Sequence, residues 1–471
     1  MQKNNTMKNF NIIALTAITV MLFSQSCSKV LDVEPKMILE SENAITTVRD
    51  LEAVLFSAYD GLQSGNLYGG NLIVYAEMLG TDAAVNETRL TPFGTQEIYN
   101  LTTTVQIGAL RDLWSGAYST INRANIVIDY IDNNKLSGAD FDAVKASFKG
   151  EALFIRALVH YEIMRFWSQA YDVDISGNNT QLGVPYRTKP TYSSDDDLAM
   201  GRASVEEVYT NAIQDLTASV SLLGQAGMIT SNYRASEMAA RAFLARIYFF
   251  KGDYTNAGSQ ADYIILSQMY DMNDSVVDIY SSSGLIATDE SIFQIANIET
   301  DNSNSLPGNF QRTNNPLLEA DTTFYNMFDD NDQRKKKLFF KNPWTGSVFV
   351  TKYDQTGIMP NNVSVIRLAE MHLIRAESFV LTSGNITDAI ASYNAIRTRA
   401  FLLPITVVDN TFIDKIRLER RKELAFEGDR YHNQRRLKMN VRHGVVYNEN
   451  RLLFKIPQEE MSGNPLMKQN P

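Results

Sequence analysis

Glu370, Arg375, Glu377, Glu419, Glu423, Glu427 and Arg430 are the residues whose types and spacing come nearest to catalytic chemistry. Paired carboxylates can share general acid and general base roles when their surroundings push their pKa values apart. The four-residue spacing of Glu419, Glu423 and Glu427 would place them on one helix face with Arg430, provided the helix continues past Gly428. Arginines recur at the same spacing, so the pattern reads as an ion-pair network between adjacent helices. Arg334–Lys337 reads as a solvated basic surface. Asp195-Asp196-Asp197 could meet a cation but lacks the other ligands of a calcium loop. Four histidines and one cysteine leave little material for a zinc site or a cysteine nucleophile. P-loop, Rossmann, HExxH and Gly-x-Ser-x-Gly patterns are absent from the sequence. No catalytic residue, metal ligand or cofactor is therefore nominated. A net charge of −10 and a pI near 5.1 argue against nucleic acid as a partner, since that needs a basic footprint.

The lone cysteine, Cys27, has a chemistry of its own. Lys3 and Lys8 precede an apolar run from Phe10 to Phe23, too short to span a bilayer comfortably, and Ser24-Gln25-Ser26 leads into Cys27. This pattern reads as a lipoprotein signal over residues 1–26, with cleavage before Cys27 and acylation of its sulfur. Two or more acyl chains hold a protein stably at a bilayer, where one holds it marginally. The mature chain would carry no thiol and no disulfide, so packing alone must hold its fold.

Helices must position whatever binds. Residues 108–132 carry Leu110, Leu113, Trp114, Ala117, Tyr118, Ile121, Ala124 and Ile128 as one apolar stripe. Similar segments run over about 141–167, 204–223, 234–251, 254–268, 364–382, 386–400 and 411–439. Irregular stretches separate them at 64–107, 171–202, 270–362 and 440–471. The third is far longer than an ordinary connection, which marks an elaborated insertion. Within it, the alternating runs Ser291–Ile298 and Ser347–Tyr353 read as strands of a small hairpin. Ala245, Tyr248, Gly252, Tyr254, Ala257, Ala261 and Ile264 follow the small and aromatic spacing of a tetratricopeptide (TPR) unit, and Ala376, Phe379, Ser383, Gly384, Ala389, Tyr393 and Ile396 repeat it with one extra residue in the turn. The expected fold is mainly α: a TPR-like helical-hairpin scaffold, an α-α superhelix, with units near 234–268 and 364–400 and long loop insertions. Trp114 and Trp167 belong to its core. Trp344, in the long insertion, either stacks on a ligand or pins its loop.

Several blocks in order resemble the SusD/RagB family. They are Cys27…Leu31-Asp32…Pro35; Leu113-Trp114…Ile121-Asn122-Arg123-Ala124; Gly150-Glu151-Ala152…Arg156-Ala157 with Leu182-Gly183-Val184-Pro185; Arg367…Glu370…Arg375-Ala376-Glu377; Glu419-Arg420…Phe426-Glu427-Gly428; and Phe454-Lys455-Ile456-Pro457…Asn470-Pro471. The family's Tyr-Gly after the Arg-Ala helix is replaced here by Gln169-Ala170-Tyr171. The resemblance implies one binding domain over 27–471, lipid-anchored at the outer membrane and exposed at the cell surface, with no enzymatic activity. It implies capture of a nutrient, most often a glycan and sometimes a peptide, for a SusC-like TonB-dependent transporter. The rival reading is a TPR-like protein–protein adaptor or envelope assembly factor without a nutrient ligand. A glycosidase would need a positioned carboxylate pair that the sequence does not supply.

Where the family pattern falls silent, recognition is expected. Region 64–107 offers Tyr68, Asn86, Arg89, Phe93 and Tyr99, and the long insertion offers Phe310, Arg312 and Trp344. Rings there could stack on a ligand while Arg and Asn fix its orientation, provided the two regions converge on one surface.

Overall fold

Apolar residues at helical spacing set the helices, and side-chain caps open several of them. The computed structural model describes residues 45–175, 179–193, 196, 199–227, 231–354 and 360–471. The signal segment, Cys27, Asp195 and Asp197 lie outside the described residues. One unit comprises Ile45–Thr191 and Asp197–Pro471. Tyr192–Asp196 falls to another, in which the Asp196 carboxylate accepts the amides of Tyr192 and Ser193 in a local turn.

The long helices are α1 (Val48–Gln63), α2 (Asn71–Leu79), α3 (Gly108–Asp132), α4 (Ala139–Trp167), α5 (Val205–Ala226), α6 (Glu237–Lys251), α7 (Tyr254–Leu266), α8 (Leu368–Leu381), α9 (Ile386–Arg399), α10 (Phe412–Glu423) and α11 (Arg430–Arg436). Thr47 and Ser204 open α1 and α5 with reciprocal capping boxes. From α3 to α9 each helix packs on its successor, and α1 covers α3. The TPR-like hairpins α6–α7 and α8–α9 lie side by side although the long insertion separates them in the chain. Their contact is close: a Cβ added at Gly258 of α7 would stand 3.0 Å from the Phe379 ring and 3.1 Å from Ser378. Ala245, Ala257, Ala261, Ala376, Ala389 and Ile396, the small and apolar positions of the repeat, are fully buried. Among the described residues no helix is long and apolar enough to cross a membrane.

The insertions hold more regular structure than the sequence suggested. Region 64–107 contains α2, β1 (Ala83–Val85) and a short helix, Thr95–Asn100. The long insertion contributes β2 (Ser291–Ile295), β3 (Leu318–Ala320), β4 (Phe339–Lys341) and β5 (Val348–Val350). The two alternating runs are strands, as expected, but they do not pair with each other. β2 pairs with β6 (Val363–Arg367), the start of the segment expected as helix 364–382, while β5 pairs with β3 and β4. The expected helix 411–439 is also two helices. The chain breaks after Glu423, with Phe426 at φ +65° and Gly428 at φ +82°. Glu427 and Arg430 therefore do not continue the face of Glu419 and Glu423.

Candidate functional site: a face built by two insertions

β1 from the first insertion pairs antiparallel with β3 from the second, giving a four-stranded sheet in the order β1-β3-β5-β4. The two variable regions thus converge in one element. Successive side chains on a strand point to opposite faces. Ala83, Leu318, Ala320, Val348, Val350 and Phe339 are buried. Beneath them Phe324, Phe328, Phe339 and Phe426 meet edge to face at centroid distances of 5.3–6.3 Å. The register Ala84↔Glu319 and Phe340↔Phe349 leaves those four on the opposite face.

That outward face has a defined chemistry. Phe340 is 37% exposed and stacks on Phe349 at 6.4 Å and 27°. The Arg312 guanidinium lies 4.6 Å from the Phe340 ring centre and 3.9 Å from Asp354. Burial raises the Asp354 carboxyl, with Arg312 opposing the shift. At the tip of the β4–β5 hairpin Trp344 is 89% exposed. Its position is not loose: the Asn342 carboxamide oxygen accepts the amides of Trp344 and Thr345, and Gly346 at φ +78° completes the turn. A fully exposed indole on a fixed turn is available for stacking on a ring or sealing an apolar surface.

The other nominated residues divide. Asn86 ties the insertions together, its amide donating to Asn315 and to the Pro316 carbonyl. Arg89 is exposed in the short turn that follows. Phe93 is 74% exposed, in a left-handed conformation at φ +56°. Tyr99 packs edge to face on His443 at 4.8 Å, and its hydroxyl approaches Glu87 at 3.4 Å. Tyr68 and Phe310 are corrections. Tyr68 is buried with its hydroxyl on Glu162 at 3.0 Å. Phe310 is fully buried against Tyr353 and Phe426. Both fasten loops to the scaffold. Phe340 and Phe349 were not nominated. The signal lay in the adjacent pair Phe339-Phe340, since neighbours in a strand cannot both face inward.

The carboxylates of the helical blocks form buried ion-pair networks. Arg367, 1% exposed, donates to Glu290 and Glu423 at 2.7 Å each and to both oxygens of Glu427 at 2.8 and 2.9 Å. Arg399 joins Glu290 to Glu423. Arg334, expected on a solvated surface, is buried here and pairs with Asp332, Glu419 and Glu423. A second network joins Glu370 to Arg246 and Arg420. Burial pushes Glu427 and Glu370 up, but Arg367 with Lys352, and Arg246 with Arg420, outweigh it and hold each carboxyl at about 2. Such groups stay ionised at neutral pH and have no proton to donate. Glu77 is the opposite case: burial, with Asp82 nearby, raises it to about 8, and it accepts the Gly428 amide at 2.8 Å. Among the described residues no group of three or more His, Cys, Asp or Glu is placed to hold a metal.

Fold and face together define a helical scaffold that displays a loop-built surface. Residues 29–249 match a family model described as SusD-like, starch-binding and associating with the outer membrane, and residues 349–441 match that of the SusD family. The chain belongs to the SusD/RagB family. It is 24% identical to SusD-like protein P2 of Formosa agariphila over 92% of this chain and 91% of that protein. It is 26% identical to SusD-like protein P38 of the same organism, over 56% of this chain and only 48% of that longer protein. A SusD superfamily crystal structure from Bacteroides thetaiotaomicron superposes with a TM-score of 0.77 at 25% identity, covering 90% of this chain and 100% of that one. A Bacteroides vulgatus protein named for sugar binding gives 0.77 at 28% identity, covering 91% and 99%.

Proposed function

We propose that the protein captures a glycan on the outer face of the four-stranded sheet and passes it to a SusC-like TonB-dependent transporter. It would do so at the outer membrane, at the cell surface, held there by lipid on Cys27. The observation that carries the reading is the convergence of the two insertions in one sheet, whose exposed side holds Arg312, Phe340 and Phe349 with Trp344 at the hairpin tip. Aromatic rings stack on the apolar face of a sugar, while a guanidinium and a carboxylate fix its hydroxyls. The family description as starch-binding and the sugar-binding name of a structural relative favour a glycan over a peptide. Binding without chemistry agrees with carboxylates that are locked, ionised and paired. The test is an array carrying both glycans and peptides, probed with the purified protein. Binding to glycans supports the reading. Binding to peptides alone, or to neither, refutes the ligand class.

A further inference from the structure

A groove of about 280 Å³ opens between α1, the segment before α6 and the end of β2, and it shares no residue with the sheet face. We propose that this groove is a second sugar site, sized for one hexose ring. Four features carry the inference.

The first is an exposed ring on an otherwise well-packed helix. Phe56 of α1 is 45% exposed beside the groove, and half-buried Tyr233 also lines it. Two aromatic side chains at a concave polar surface suit the stacking face of a pyranose.

The second is rigidity. Arg234 lies 5.1 Å from the Phe56 ring centre, and it is held by two hydrogen bonds to fully buried Glu151, at 2.7 and 2.9 Å. The Tyr59 hydroxyl donates to the same Glu151 at 2.6 Å and accepts the Ala235 amide at 2.8 Å. This side of the groove is therefore fixed before any ligand arrives, which lowers the ordering cost of binding.

The third is a set of unused polar groups. Asp60 and Asp301 are exposed, and neither their carboxylates nor the Tyr233 hydroxyl has a partner among the described residues. At the floor, the Gln63 amide donates to the carbonyls of Ala296 and Asp301, so its orientation is set, yet its buried carbonyl oxygen has no donor. A buried acceptor without a donor is costly, and a side-chain shift that brought it to a ligand hydroxyl would relieve that cost.

The fourth is charge. Glu151 matches Arg234, which leaves Asp60 and Asp301 as the unmatched charges and disfavours an anionic ligand. The guanidinium already covers one face of Phe56, which disfavours a second cation there. A neutral polyol with an apolar face satisfies both conditions: its hydroxyls donate to the carboxylates and its C–H face lies on a ring.

Saturation-transfer NMR on the purified protein tests this with D-glucose, D-galactose and D-mannose as probes, and with ethanolamine as a cationic control. At least one hexose should receive saturation. That binding should persist in the double variant Phe340→Ala/Trp344→Ala and weaken about tenfold in Asp60→Asn/Tyr233→Phe, which keeps the shapes and removes one of the two carboxylate charges and the tyrosine hydroxyl. Phe56→Ala should weaken it as well, with an unchanged circular-dichroism melt. Transfer to none of the hexoses, transfer to ethanolamine in their place, or hexose binding indifferent to the groove variants would overturn the second site. Hexose binding lost only in the sheet-face variant would overturn it too, while leaving the sheet-face reading standing.

Discussion

Arg367→Met removes the hub of the larger ion network while keeping much of the side-chain volume. The guanidinium is 1% exposed and makes five hydrogen bonds: four to the carboxylates of Glu290, Glu423 and Glu427, and one to the Glu423 carbonyl at 3.0 Å. It ties the β6–α8 junction to the loop after α10. Removing one partner of a buried ion pair costs about 3–5 kcal/mol, because the remaining charges stay buried with less compensation. Arg399 and Lys352 still serve Glu423 and Glu427, so the loss is expected in that range and not above it. The pH dependence follows from the carboxyl shifts. In the native protein Glu427 is held at about 2, below its unfolded value of 4.5, so its contribution is present above pH 4.5 and is lost as pH falls toward 2. Without Arg367, only Lys352 opposes burial and the carboxyl rises. The variant then gains, relative to wild type, as acid neutralises the stranded group. Urea unfolding at pH 7 and at pH 4 measures both effects. The gap between variant and wild type should be largest at pH 7 and narrow at pH 4. A gap below about 1 kcal/mol at pH 7, or one that does not change with pH, would refute this account of the network.

Glu77→Gln should remove a pH slope. Glu77 is raised to about 8, so wild-type stability falls as pH rises from 4.5 through 8, and the variant should match or exceed wild type in thermal unfolding at pH 9. Gly258→Ala should cost about 1–3 kcal/mol in urea unfolding, because its Cβ meets the Phe379 ring where the two TPR-like hairpins touch. Cys27→Ala should abolish incorporation of a labelled fatty-acid analogue and release the protein from membranes, whereas label retained by the variant would contradict lipidation at that residue.

What was legible in the sequence was local and periodic. Helix α3 occupies the expected 108–132, and Trp114 and Trp167 are buried, because a continuous apolar stripe leaves a helix one way to turn. The alanines of the TPR-like units are buried as their small sizes implied, but that the two hairpins would lie against each other across the long insertion was not legible from them. Helix α1 was readable and missed: Thr47 and Asp50 form a capping box ahead of Leu51, Val54, Leu55 and Ala58. Helix α2 was hidden by its burial on all sides, which erases the amphipathic period in Asn71–Leu79. Non-local contacts decided the rest. Tyr68 and Phe310 look like loop aromatics, yet Glu162 on α4 and Phe426 after α10 draw them inward. Arg334 sits in a basic run, yet acids on α10 bury it. Strand partners 68–76 residues apart leave no mark on local spacing, so β2 with β6 could not be foreseen. The condition set for the binding face, convergence of the two insertions, is met by β1 on β3.

The central claim is that this converged face binds the ligand. The direct measurement is calorimetric affinity for the strongest glycan found on an array, comparing wild type with Phe340→Ala/Trp344→Ala. Phe340 is 37% and Trp344 89% exposed, so the fold should survive both changes. Each lost stacking ring should cost about 1–3 kcal/mol, a fall in affinity of about thirtyfold or more for the pair. Unchanged affinity in a folded double variant would contradict the claim.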